Sequence, residues 1–288
     1  MQAQHTTETG PQPCRSAMSS SAAATLAVLA MTLAAMPSAF AASCGSNAAG
    51  FPAWLEAYKA RARAQGISQA TIDRALADVS YDRGVISRDR SQKSFKLSFE
   101  EFYQRRVGSY LISKARAKLK THGGLIAGIE KRYGVPGEIL VSIWGLETNF
   151  GADGSGKYSI IRAIATLAYD CRRSEFFTPH LTAALRIVEK GDMRPEEMRG
   201  GWAGEIGQVQ FLPGSYDTYA VDHDGDGRRD LVRSVADILA STANFMKGHG
   251  WQRGQSWSPG SANYAVIKEW NKADVYARTI AQMAEKLK

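Results

Sequence analysis

One carboxyl is singled out by where it falls. In Ile143-Trp144-Gly145-Leu146-Glu147-Thr148-Asn149-Phe150-Gly151, an apolar helical pattern closes on an acid. Glu147 comes four residues after Ile143 and eight after Ile139, so it shares their side of a helix. An acid at the end of a buried apolar helix is desolvated, which disfavours its charged form. Such a carboxyl stays protonated nearer neutral pH and can donate to a glycosidic oxygen. On this pattern alone, a surface glutamate at a helix end remains the commoner reading.

A second cluster concerns binding. Asp222-His223-Asp224-Gly225-Asp226-Gly227-Arg228 places acids at positions 1, 3 and 5 and glycine at position 6. That is the opening of an EF-hand-like calcium loop, with Arg228 supplying a backbone carbonyl at position 7. Oxygen-only ligands favour calcium over transition metals, and the ion would be structural. Position 12, where such a loop ends in Glu, is Arg233. The alternative is an Asp/Gly-rich turn without an ion.

The elements that must position these groups read as helices. Pro136 suits a first helical position, and Ile139, Leu140, Ile143 and Trp144 form the buried face of the helix that carries Glu147. Further helices are expected around Trp54–Ala62, Ile72–Leu76, Phe99–Val107, Leu119–Tyr133, Ile160–Tyr169, Leu181–Lys190, Val235–Met246 and Ala273–Leu287. The polar stretch Tyr81–Lys96 reads as irregular, and Gln208-Val209-Gln210-Phe211 as a short strand. Residues 51–80 form a helical satellite with no strong linker isolating it.

The N-terminus predicts export. Ala22 to Met36 is an uncharged apolar run, Arg15 precedes it, and Ala39-Phe40-Ala41 supplies small residues for cleavage. Residues 1–41 therefore read as a signal peptide and 42–288 as the working domain, in a periplasmic compartment. Lipid anchoring at Cys44 is the lesser alternative, because Ala41-Ala42-Ser43 lacks the expected large aliphatic residue. Cys44 and Cys171 could then form a structural disulfide in an oxidising compartment. The net charge of +8 suits a polyanionic envelope partner. Nucleic acid is disfavoured, since no basic run is interleaved with aromatics.

Four blocks in order resemble the lytic murein transglycosylase B family. The first runs from Tyr133-Gly134-Val135-Pro136 through Gly151, and the second is Ala165–Phe177 with Arg172-Arg173. The third is Gly200-Gly201-Trp202-Ala203-Gly204-Glu205-Ile206-Gly207-Gln208-Val209-Gln210-Phe211-Leu212-Pro213. The fourth runs from Tyr219 to Trp251. The resemblance implies a mainly α fold with a goose-type lysozyme-like helical core and small appended subdomains. It implies cleavage of the β-1,4 bond between N-acetylmuramic acid and N-acetylglucosamine of peptidoglycan without added water.

Glu147 matches the family's sole catalytic carboxylate, and no cofactor takes part in the reaction. The attack comes from the sugar's own 6-hydroxyl, so one carboxyl suffices where an ordinary glycosidase needs two. Tyr103 matches a cleft tyrosine and Gln210 a glutamine near the acid. Asn271 matches a sugar-binding asparagine and Tyr276 a tyrosine supporting the acid. Arg172 and Arg173 match a pair that would meet substrate carboxylates, unless they serve as ion-paired structural arginines. Asp237, at position 16, would close a lengthened calcium loop with Asp222, Asp224, Asp226 and Arg228. A monomer is implied, with partnership in cell-wall enzyme complexes open.

The departures are specific. Gly201 stands where a serine is common, so a hydroxyl near the acid is missing. Phe176, Phe245 and Trp270 replace tyrosines, which keeps sugar stacking and loses phenol hydrogen bonds. Glu205 stands where alanine can occur and reads as a rim residue, although a second acid would open hydrolysis. A hydrolytic muramidase and a non-catalytic wall-binding protein are the competing readings.

Overall fold

The computed structural model describes residues 43–92, 97–154 and 156–288. The expected signal peptide lies outside the described residues. After a short turn at Ala48–Gly50 come α1 (Phe51–Ala64), α2 (Gln69–Leu76), α3 (Arg83–Ser91), α4 (Phe99–Arg106), α5 (Ser109–Thr121), α6 (Gly123–Tyr133) and α7 (Gly137–Thr148). There follow β1 (Tyr158–Ser159), α8 (Ile160–Tyr169), α9 (Ser174–Glu189), β2 (Arg199–Gly200), α10 (Pro213–Tyr219), α11 (Val235–Gly248), α12 (Ala262–Trp270) and α13 (Asp274–Leu287). β1 and β2 pair antiparallel and make the only sheet among the described residues. The mainly helical expectation holds.

The core is built around α7. Ten of its twelve residues are buried, the pattern of a helix apolar on all sides and enclosed by others. α13, α5, α11 and α6 pack on it. α13 presents Tyr276, Ala277, Ile280, Met283, Ala284 and Leu287 to the interior and leaves its charged face to solvent. Burying one such aliphatic side chain contributes roughly 1.5–3 kcal/mol. Residues 51–80 join the same compact unit: α1 packs on α8 and α2 on α9, and the Tyr58 hydroxyl meets Thr182 Oγ1 at 3.0 Å.

Three local expectations are corrected. Residues 83–91 are helical rather than irregular, because Asp82 caps the backbone N–H groups of Gly84 and Val85 while Val85 is buried. The Leu119–Tyr133 helix is broken at His122, which ends α5 and precedes Gly123 at the start of α6. Residues 208–211 are not a strand. Ile206 and Phe211 bridge each other across a tight turn in which Gln210 takes φ 55°.

The N-terminal arm is tied down covalently. Cys44 and Cys171 form the disulfide that the sequence left open, with Cα atoms 4.9 Å apart and a sequence separation of 127. Beside it the Gly45 N–H donates to the Tyr169 carbonyl at 2.9 Å, and the Cys171 N–H to the Gly45 carbonyl at 3.1 Å. Closing so long a loop removes much unfolded-state entropy. Cys44→Ser should lower unfolding free energy in denaturant by about 2–5 kcal/mol. Full stability in that variant would show that the α1–α8 packing alone fixes the arm.

Candidate functional site

Glu147 sits in the last turn of α7, where the helix is forced to stop. Asn149, Phe150 and Gly151 take left-handed φ values of 52°, 61° and 81° in succession. Two of these are not glycine, a conformation costing about 1 kcal/mol or more each. The surroundings fix it: Lys114 Nζ donates to Asn149 Oδ1 at 2.8 Å, and the Phe150 ring lies edge-on to Trp144 at 5.3 Å. Thr148 Oγ1 donates to the Gln208 carbonyl at 2.6 Å and accepts from the Gly151 N–H at 3.1 Å. Trp144 Nε1 donates to Gln208 Oε1 at 2.8 Å. These bonds tie the end of α7 to the turn that carries Gln210.

The Glu147 carboxyl opens into a cavity of about 630 Å³, a size typical of small-molecule sites. Trp270 Nε1 and the Tyr276 hydroxyl both donate to Oε1 of Glu147, each at 2.9 Å. Oε2 accepts no hydrogen bond among the described residues. Burial raises the pKa of Glu147; the bonds from Trp270 and Tyr276 and the charge of Arg106 work against this, and the charge of Glu205 adds to it. Because Oε1 already accepts twice, the proton belongs on Oε2. Tyr276, whose own pKa is pushed well up by burial and by Glu147, stays neutral and keeps donating.

The cavity walls are aromatic. Phe176, Phe211, Tyr219, Phe245 and Trp270 line it together with Gln210 and Asn271. Phe211, Phe245 and Trp270 pack mutually, with ring centroids 5.1–5.8 Å apart. Gln210 is held by its own Nε2, which donates to the Gly207 carbonyl at 2.7 Å. Asn271 Oδ1 accepts from the Ala273 N–H at 3.0 Å, ordering the entry to α13. Aromatic faces beside hydrogen-bonding groups suit a saccharide, whose C–H faces stack while its hydroxyls pair.

The structure thus brings Glu147, Gln210, Phe245, Trp270 and Asn271 to one cavity, with Tyr276 supporting the acid from behind. It does not bring the others. Tyr103 is 9% exposed, its hydroxyl has no hydrogen-bond partner, and it does not line the cavity. Arg172 and Arg173 both pair with Asp89 of α3, which is 2% exposed. Burial alone would raise the Asp89 pKa, but the two arginines override it and hold the carboxyl below its ordinary range. Both arginines are thus engaged with one buried carboxylate, the arrangement of an ion-paired structural pair.

His180 and His249 were not read as site residues. Phe176 is 50% exposed at the cavity mouth, and His180 follows it by one helical turn on α9. His180 Nδ1 accepts from the Gly214 N–H at 3.0 Å, and burial lowers its pKa, so the neutral ring carries its proton on Nε2. His249 lies 4.2 Å from Phe245, again one turn away on the same helix. The four-residue spacing of these aromatic pairs was the available signal. Trp270 repairs a loss that the sequence implied: its indole N–H gives the acid a hydrogen bond. Glu205, read as a rim residue, lines the cavity and is half-buried.

In the aspartate loop, one carboxylate oxygen each from Asp222, Asp224 and Asp237 comes within 4.8 Å of the others. Asp237 is fully buried, and desolvation raises its pKa. Asp226 is outside this group; its Oδ1 accepts from the Arg228 N–H at 2.8 Å. The Arg228 guanidinium points elsewhere, donating to the Asp192 carbonyl at 3.0 Å.

Comparison with known proteins agrees with this geometry. Over 123 residues the chain is 43% identical to membrane-bound lytic murein transglycosylase B of Escherichia coli, a match covering 42% of this chain and 34% of that protein. The match thus spans about a third of that relative's length. SltB3 from Pseudomonas aeruginosa, solved with NAG-NAM-pentapeptide and with NAG-anhNAM-pentapeptide, superposes with TM-score 0.76 at 31% identity. The alignment covers 82% of this chain and 79% of that one. E. coli lytic transglycosylase Slt35 in complex with calcium shares the fold, at TM-score 0.71 and 22% identity over 86% of this chain and 96% of that one. The family described as the transglycosylase SLT domain matches residues 50–261, and the chain belongs to it.

Proposed function

We propose that this protein is an exported lytic transglycosylase that cuts the β-1,4 bond between N-acetylmuramic acid and N-acetylglucosamine in peptidoglycan. The observation that carries this reading is the desolvated carboxyl of Glu147, braced on one oxygen and open on the other inside an aromatic cavity. The SltB3 complexes, one with an anhydro sugar, support both substrate and product class.

The protonated Oε2 of Glu147 gives its proton to the glycosidic oxygen as the bond to the anomeric carbon breaks. The sugar's own 6-hydroxyl attacks that carbon and passes its proton to the Glu147 carboxylate. A 1,6-anhydro ring forms, no water is consumed, and Glu147 ends protonated as it began. Trp270 and Tyr276 stabilise the transient carboxylate without removing the proton beforehand. Gln210 and Asn271 orient the sugar, and Phe245 and Trp270 stack on it. A disulfide suits the oxidising compartment that such a substrate implies. No helix among the described residues is long and apolar enough to cross a membrane.

The aspartate loop fits a calcium ion. Asp222, Asp224 and Asp237 would supply hard oxygen ligands, and the ion would offset the charge of a buried carboxylate. Its role would be to stiffen the segment between α10 and α11, with no part in the reaction. Glu205 favours a second reading, hydrolysis, because two carboxyls in one cavity could activate water.

Glu147→Gln should lower cell-wall cleavage by about 10²–10⁴-fold; unchanged lysis would end the assignment. Mass spectrometry of the wild-type digest should show anhydro ends, whereas reducing ends would establish the hydrolase. Activity requires protonated Glu147, so it should persist below that group's raised pKa and fall as pH climbs through it. Tyr276→Phe removes a donor to the carboxylate, so the alkaline limb should move to higher pH while the rate drops about tenfold. A limb that stays put or moves down would refute the proposed bracing. Calcium at a hundredfold excess over its Kd should stabilise the protein by about 2.7 kcal/mol, and Asp237→Asn should abolish that gain in a melting assay.

A further inference from the structure

The Glu205 carboxyl is in the cavity and is not used by the chemistry above. Its Oε2 accepts from the Ala203 N–H at 2.9 Å. Its own backbone N–H also bonds to the carboxyl. The carboxyl is thus held by the backbone of its own loop while Glu205 lines the same cavity as Glu147.

The space for this carboxyl depends on a missing side chain. A Cβ built on Gly201 would lie 2.1 Å from Glu205 Oε2 and 3.2 Å from Glu205 Cβ. Any residue but glycine at position 201 would push the carboxyl away, so Gly201 and Glu205 form a matched pair. Gly201 also lines an open groove of about 540 Å³ with Trp202 and Tyr158. The Glu205 carboxyl, which lines the catalytic cavity, thus lies against a residue that lines a second opening.

We propose that Glu205 is a substrate-binding residue, whose carboxylate accepts a hydrogen bond from a hydroxyl or acetamido N–H of the sugar seated beside Glu147. This rests on the saccharide reading of the cavity. Two carboxyls in one site share protons unequally. The charge of Glu205 raises the Glu147 pKa further, so ionising Glu205 favours keeping the proton on Glu147. Burial raises the Glu205 pKa as well, but its own backbone N–H, the Ala203 N–H and the charge of Arg173 work toward its ionised form. The other charged or titratable groups acting on Glu147 are Arg106 of α4 and Tyr276 of α13. A donor lost at the serine position is thus replaced by an acceptor, which suits the donors of a neutral sugar.

The test separates binding from turnover. In a Glu147→Gln background, binding of soluble, peptide-free murein glycan strands is measured by calorimetry. Adding Glu205→Gln keeps the Ala203 bond through the amide oxygen and turns an NH₂ donor toward the sugar. Affinity should fall about tenfold or more with the melting temperature unchanged. Gly201→Ser should reproduce the loss by displacing the carboxyl, and should add nothing to Glu205→Ala. Affinity within twofold of the parent would overturn the proposal, as would failure of the parent itself to bind the strands. Weaker binding together with a wild-type digest lacking anhydro ends would instead leave Glu205 in place and refute the transglycosylase reaction.

Discussion

Everything at the site follows from taking one carboxyl out of water without neutralising it through an ion pair. Desolvation raises the pKa of Glu147, and two neutral donors converge on one of its oxygens. A full cationic partner in hydrogen-bond contact would hold the carboxyl ionised and unable to give a proton. An indole and a phenol, both neutral, only partly offset desolvation, and the Glu147 pKa stays raised. The arrangement is asymmetric, so the labile proton has a defined position.

That arrangement demands a rigid frame. The acid comes from α7, the indole from the end of α12 and the phenol from the first turn of α13. α13 packs on both α7 and α12, so the relative placement of the three groups is a property of one helix cluster. On the other side, Thr148 and Trp144 bond to Gln208, which fixes the turn bearing Gln210 to the same helix end. The left-handed backbone at Asn149 and Phe150 is tolerated because these contacts over-determine it. Strain of this kind persists only where the surroundings fix it, as they do beside Glu147.

Much of the remaining charge is structural. Asp89 is buried under Arg172 and Arg173, and removing either arginine would expose the cost of a charge out of water. The same pair lies next in sequence to Cys171. The disulfide, the Asp89 cluster and the aromatic packing of Phe51, Trp54 and Tyr81 around Tyr169 therefore meet at the end of α8. That region secures the N-terminal helices to the body and stands apart from the cavity's lining.

By itself the sequence determined the helical class, most helix positions, the disulfide as an option, and Glu147 as an acid on an apolar face. These are local: periodicity, caps and the reach of one helix settle them. Resemblance added Gln210, Asn271 and Tyr276, whose roles depend on segments far from Glu147 in the chain. Only the tertiary structure decided which polar groups meet. It turned Arg172 and Arg173 toward Asp89, left Tyr103 outside the cavity lining, and drew Asp237 but not Asp226 to the aspartate cluster. It also set Trp270 on the acid and placed Glu205 inside the cavity against Gly201. A residue's type shows what bond it can make, but its partner depends on which surfaces pack together across the chain, and no local pattern carries that information.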